Sequence, residues 1–217
     1  MRRIIALAIV IALSGCLDPF RPHVDEDIFA ASEFQWVKTE FPQENNNGTF
    51  APKIVQTQYR FDPQNQPPFP ALLHVVGVRG WSEVESDDLI EKTRELVNEK
   101  LRSQNIIVDS KTEESGGRSL ANGAKTNWFR VIGTTTEGDL FQSEEEIRVF
   151  AETFYDGRSK TAVIAIAFAQ TTETTRFLTV QRTENLDVWR ELVGDPFGII
   201  DNMETDAGFI HNLVTHD

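Results

Sequence analysis

The stretch 161-TAVIAIAFA-169 decides the fold class. It carries no charge, and every position after Thr161 is apolar, so neither side of an extended chain here can face water. A short apolar run rich in β-branched and small residues is a strand covered on both sides, and it belongs in the middle of a sheet. Just before it, Asp156-Gly157 is a hairpin signal. The preceding stretch Glu145–Tyr155 then becomes its antiparallel partner, with Ile147, Val149 and Ala151 alternating against Arg148, Phe150 and Glu152. One step further back, Lys125–Thr135 carries Trp128, Phe129, Val131 and Ile132 and reads as a third strand, with Glu137-Gly138-Asp139 marking the turn between. Three consecutive strands joined by turns form an antiparallel meander.

The chain upstream supplies the rest of the sheet and one clear helix. Ile54–Phe61 alternates through Val55, Thr57, Tyr59 and Phe61, and Ala71–Val78 is nearly continuous apolar chain, so both predict strands. The proline-rich stretch from Asp62 to Pro70 separates them. The periodicity then changes. Leu89, Thr93, Leu96, Val97, Lys100 and Leu101 fall on one face at three- and four-residue spacing, which predicts a helix. Ser86 is placed to cap it, with Asp87 and Asp88 in the first turn where the helix dipole favours anions. Ser82 with Glu85 offers a rival capping box one turn earlier. Ile106–Ser110 predicts a short strand. Near the end, Asn185–Val193 suits a short helix with Leu186, Trp189 and Leu192 facing the core. Pro196 interrupts it, and Ile199–Met203 is a further helical piece. The expectation is an α+β fold: a curved antiparallel sheet with one long amphipathic helix and a shorter C-terminal helix packed on it.

The two ends of the chain differ in kind. Arg2 and Arg3 precede Ile4–Leu13, an uninterrupted apolar run of ten residues. A bilayer-spanning helix needs roughly 20 apolar residues, and Asp18 and Arg21 close off any extension. A short apolar run after a positive start is a secretory signal peptide. Leu13-Ser14-Gly15-Cys16 follows, and it resembles the lipobox of prokaryotic lipoproteins. That resemblance implies cleavage between Gly15 and Cys16 and a diacylglyceryl group, of the palmitate type, on the Cys16 sulfur. One acyl chain gives only marginal membrane binding, and a second makes the anchor stable. Cys16 is the one cysteine of the 217 residues, so it has no intramolecular disulfide partner. The expected organisation is a signal peptide over 1–15, a lipidated cysteine with tether and docking arm over 16–53, and a single α+β domain over 54–217. Within the arm, Phe29, Phe34, Trp36, Phe41 and Phe50 are too many aromatics for a solvated linker, so an irregular arm or short strand near Phe34–Lys38 is expected to dock on the domain. Asn47-Gly48-Thr49 is an N-glycosylation acceptor pattern.

Composition restricts the chemistry. The formal charge is −13, and it becomes −15 once Arg2 and Arg3 leave with the signal peptide. Like charges repel, so nucleic acids and anionic headgroups are poor partners. With its cysteine committed, the chain has no thiol nucleophile, zinc ribbon, redox pair or disulfide staple. No G-x-S-x-G elbow is present, and Gly116-Gly117-Arg118-Ser119 reads as a flexible turn. His211 and His216 are five apart, off the i, i+4 spacing that would put them on one helix face. Asp201, Glu204 and Asp206 lack the regular spacing and glycine of a calcium loop. Gly77-x-x-Gly80 matches neither phosphate-binding fingerprint. His74, inside Ala71–Val76, reads as a packed core or edge-strand histidine. Glu113-Glu114 and Glu144-Glu145-Glu146, in a chain with 34 acids, read as solvated faces. Trp81, Trp128 and Trp189 read as core. No catalytic residue, metal site or cofactor is expected.

Gly80-Trp81 before the helix, the strand 123-GAKTNWFRVIG-133 after it, and the element order over 54–205 resemble the PsbP-like α/β domains. The lipobox, the acidic mature chain and the helix-plus-meander order also resemble the small, signal-anchored lipoproteins of prokaryotes, archaeal ones in particular. Neither likeness transfers a catalytic residue. The accessory roles of the PsbP-like family favour binding by analogy. The expectation is a lipid-anchored, non-enzymatic binding or accessory module on the outer face of the cell membrane, with membrane lipid as its partner through Cys16 and a protein or small ligand as its client. The alternative is a membrane-tethered hydrolase using scattered acids with His74 or His211.

Overall fold

The computed structural model describes residues 21–32, 34–44, 53–61, 71–79, 86–135, 146–170, 188–194 and 208–215. The expectations for Gly15, Cys16, Asn47, the 62–70 and 137–139 turns, Gly80-Trp81, the Ser82/Glu85 box and the 199–203 piece lie outside the described residues. The architecture is mixed helix and sheet, mostly sheet. Strand β1 (His23–Val24) and the short helix α1 (Glu26–Ala30) come first. Then follow β2 (Trp36–Glu44), β3 (Lys53–Phe61), β4 (Ala71–Arg79), helix α2 (Ser86–Ser103), β5 (Ile106–Ser119), β6 (Lys125–Thr135), β7 (Glu146–Asp156) and β8 (Thr161–Gln170). Residues 188–193 are helical, and β9 (Leu213–Val214) pairs with β1. Strands β2 to β8 form one antiparallel sheet in the order β2-β3-β4-β8-β7-β6-β5. The stretch 161–169 therefore lies in its central strand. There it pairs with β4 from Ala71↔Ala169 to Arg79↔Thr161 and with β7 from Ile147↔Gln170 to Asp156↔Thr161.

The two faces of β8 differ in residue size, and that difference organises the packing. Val163, Ala165, Ala167 and Ala169 lie on one face, where small side chains leave room for the bulk of others. Phe150, Phe154, Trp128, Leu192, Phe209 and Tyr59 fill that space, and all belong to one buried cluster with Leu73 and Val75 of β4. Chain from both ends closes this face. Val24 and Leu213 bring the β1–β9 pair onto it, and Val188, Leu192 and Val193 bring the helical segment. Phe29 packs on Tyr59 at 5.3 Å between ring centroids, and Trp36 packs on Phe209 at 5.3 Å. The Trp36 indole Nε1 donates to Glu191 at 2.6 Å, and the Tyr59 hydroxyl accepts from the Val24 amide at 2.8 Å. Rings that are buried but carry a polar handle are thereby satisfied.

On the opposite face, α2 lies over β5, β6 and β7. Ile90, Val97 and Leu101 pack against Ile106, Phe129, Val131, Ile147 and Val149. The buried stripe is rotated from the expected one. Leu89, Thr93, Val97 and Leu101 are buried as the spacing indicates, but Leu96 is 64% exposed and Lys100 is exposed, while Ile90 is buried. Seated over β5–β7, the helix directs its 96/100 flank sideways, over β4 and β8.

Two expectations change in the structure. The segment near 34–38, expected as an irregular arm or a short docking strand, is strand and longer: from Trp36 it is the edge strand β2, paired with β3 from Trp36↔Phe61 to Glu44↔Ile54. And the strand expected at 106–110 runs to Ser119. Gly116–Ser119 is paired strand, with Gly116 opposite Trp128 and Ser119 opposite Lys125, rather than a flexible turn. Residues 109–119 show no apolar periodicity, and charged side chains among them meet charged partners. Glu113 meets Arg94 at 3.1 Å, Glu114 meets Arg130 at 2.7 Å, and Arg118 grips Glu152 of β7. Gly116 serves close approach: a Cβ there would sit 3.0 Å from the Trp128 ring.

The Arg118–Glu152 pair is the polar fixture of the first face. Glu152 is 1% exposed and accepts from Arg118 Nε at 2.9 Å and Nη2 at 2.6 Å, and from the Thr126 hydroxyl. The Arg118 guanidinium also stacks 5.4 Å from the Phe150 ring centre. A two-pronged, hydrogen-bonded pair is the geometry in which burying charge is tolerated. At the other end of β7, the 156–157 signal does make a hairpin, but the left-handed residue is Lys160 (φ 52), not Gly157. Asp156 organises the turn, accepting from the Arg158 amide, from Ser159 at 2.7 Å and from Thr215 at 2.6 Å. Burial pushes its carboxyl up, but these hydrogen bonds together hold it below its ordinary value.

Removing one member of the buried pair strands the other. Glu152→Gln is expected to lose about 3 kcal/mol of stability in urea denaturation. The double variant Arg118→Met/Glu152→Met is expected to lose less than the sum of the single substitutions.

Candidate functional site

The rotation of α2 has a structural result. Because the helix covers β5–β7, the large side chains on the second face of β8, and Val76 of β4, are only partly covered. Ile164, Ile166 and Phe168 of β8 stand there beside Leu72, His74 and Val76 of β4, with Ile147 and Val149 of β7 beneath the helix. Thr93, Leu96, Val97 and Lys100 of α2 form the opposing wall. Together they line a half-open cavity of about 570 Å3. Small-molecule sites run roughly from 300 to 1,000 Å3 and are mostly apolar with a few placed polar groups. The charged side chains that line this cavity are Glu99 and Lys100, both on the exposed C-terminal part of α2.

His74 is the polar group of the sheet floor. It is 3% exposed, and its Nε2 donates to Oε1 of Gln56 on β3 at 2.9 Å. The Phe41 ring lies 6.5 Å from the imidazole. Burial lowers the His74 pKa from the ordinary histidine value to about 4, so the ring is neutral at pH 7. A neutral imidazole held by the Gln56 amide, rather than by a carboxylate, is a hydrogen-bonding fixture.

The other sequence candidates are dispersed. His211 is buried in the turn before β9, and His23 on β1 bonds the Arg21 carbonyl at 2.8 Å through Nδ1. His216, Asp201, Glu204 and Asp206 lie outside the described residues, as do Glu144 and Glu145. Glu146 pairs with Arg148 at 3.0 Å. Among the described residues, no three His, Cys, Asp or Glu side chains gather into a metal-binding group. Gly77 sits in β4, where Pro22 approaches to 2.8 Å of the space a Cβ would need; it serves packing. Trp128 stacks on Phe150 at 5.8 Å inside the first cluster, and Trp189 packs partly buried against it. Trp81 is outside the described residues.

Sequence reading missed the cavity. It treats 161–169 as covered on both sides, which holds fully only for the small-residue face. One signal was present: the parity of β4 puts His74 on the side of Leu72 and Val76, opposite Leu73 and Val75. No family model, curated protein or solved structure matches this chain, so the PsbP-like likeness rests on element order.

The His74 environment makes stability depend on pH. Its folded pKa of about 4 lies below an unfolded value of about 6.5. The unfolded chain binds more protons between those values, so this contribution is complete above pH 6.5 and is lost as pH falls toward 4. It amounts to about 3 kcal/mol. His74→Leu is expected to flatten the pH dependence of the urea midpoint across that window. An unchanged slope would assign it to other groups.

Proposed function

We propose that the protein is a lipid-anchored, non-enzymatic binding module on the outer face of a cell membrane, and that the cavity beside α2 is its ligand site. The cavity is the observation that carries the reading. An apolar chamber of about 570 Å3 with a neutral histidine in its floor suits capture of a small apolar molecule better than bond-making chemistry. In this reading, residues 1–15 direct export, Cys16 holds the mature chain by its acyl groups, and a tether joins it to the sheet. Among the described residues no helix is long and apolar enough to cross a membrane. The net charge of −13 supports a partner other than nucleic acid.

We also read the sheet as curved around α2. The register shifts within β2 and β5, between Phe41 and Glu44 and between Asp109 and Glu114, support that reading, because bulges bend the strands that carry them.

Anchor and site are tested separately. Cys16→Ser is expected to move the protein from the membrane fraction to the soluble one, and retention would refute the anchor. Ile166→Trp fills the cavity. It is expected to weaken binding of an uncharged dye such as Nile red at least tenfold while leaving the thermal unfolding cooperative. Unchanged dye binding would remove the cavity as the site.

A further inference from the structure

Resting on the reading of the cavity as a ligand site, we propose that its ligand is an uncharged amphiphile: a lipid-like alcohol or ketone with an apolar body and one hydrogen-bonding group set against the His74–Gln56 pair. Three observations converge on this class. First, the walls contributed by β4, β7 and β8 are aliphatic and aromatic, apart from His74. They match a hydrocarbon body and offer a buried ion no counter-charge, and an uncompensated ion gives up its hydration on entering such a space. Second, the polar fixture in the floor is neutral and already coupled, His74 Nε2 to Gln56 Oε1 at 2.9 Å. An imidazole–amide pair can exchange hydrogen bonds with a hydroxyl or carbonyl, and it contributes no full charge to hold a carboxylate or an ammonium. Third, the outer wall does not select an anion either. Glu99 and Lys100 balance each other there, and the last turn of α2 presents the carbonyl, negative end of the helix dipole.

Leu96 supports the same class from the open side. It is a large aliphatic side chain, 64% exposed, and it lines the cavity. A hydrocarbon body in the chamber would cover it. A molecule partitioned in the membrane to which Cys16 anchors the chain is the source this chemistry implies.

The test is displacement of Nile red from the full-length protein at pH 8 by 1-dodecanol, dodecanoate and dodecane. Dodecanol is expected to compete at a concentration at least tenfold lower than dodecanoate and severalfold lower than dodecane. His74→Leu is expected to erase the advantage over dodecane while keeping the penalty on dodecanoate. Gln56→Leu serves as a second variant that loosens the same pair. Dodecanoate competing as well as dodecanol in the wild-type protein would overturn the ligand class, whatever the variants do. That failure is distinct from failure of the site itself, which shows as Nile red binding that Ile166→Trp does not disturb.

Discussion

The structure depends on the asymmetry of one strand. Strand β8 is central, paired along its length on both sides, and its two faces carry different volumes. Valine and alanine on one face allow aromatic side chains from β7, β3 and the C-terminal turn to approach closely, so this side closes into a dense core. Isoleucine and phenylalanine on the other face stand tall. A helix packed across the meander cannot cover all of them, and the uncovered part becomes a chamber. Core and cavity are thus two results of the same alternation.

Closure of the dense face draws on distant chain. The β1–β9 pair joins residues near both ends of the described chain, and Tyr59, Trp36 and Asp156 tie them to the sheet through hydrogen bonds to Val24, Glu191 and Thr215. These contacts have large sequence separation, so they are formed at a cost in loop entropy that burial of the aromatic cluster offsets. The Arg118–Glu152 pair plays a related part at the meander's edge. It ties the polar half of β5 to β7 across the intervening β6.

The floor of the cavity is rigid sheet and its wall is one helix, so its shape is set by elements rather than by loops, and a site on rigid elements holds its geometry. The neutrality of His74 follows from the same burial that shapes the chamber. Polarity and volume of the site therefore share one cause.

The sequence by itself determined the strands with apolar character, the meander order and the place of 161–169 at the sheet centre, because period-two and continuous apolar patterns are local signals of burial. It also carries the stretch Arg2 to Cys16 on which the proposed anchor rests. Only the tertiary structure decided the rest. Residues 111–119 are strand because Arg94, Arg130 and Glu152 wait for them across space, and no local pattern encodes a partner 34 residues away. Periodicity gives a helix its apolar side but not its seat on the sheet. The shift of α2 onto β5–β7, which turns Leu96 outward and opens the cavity over His74, was fixed by packing against residues far along the chain.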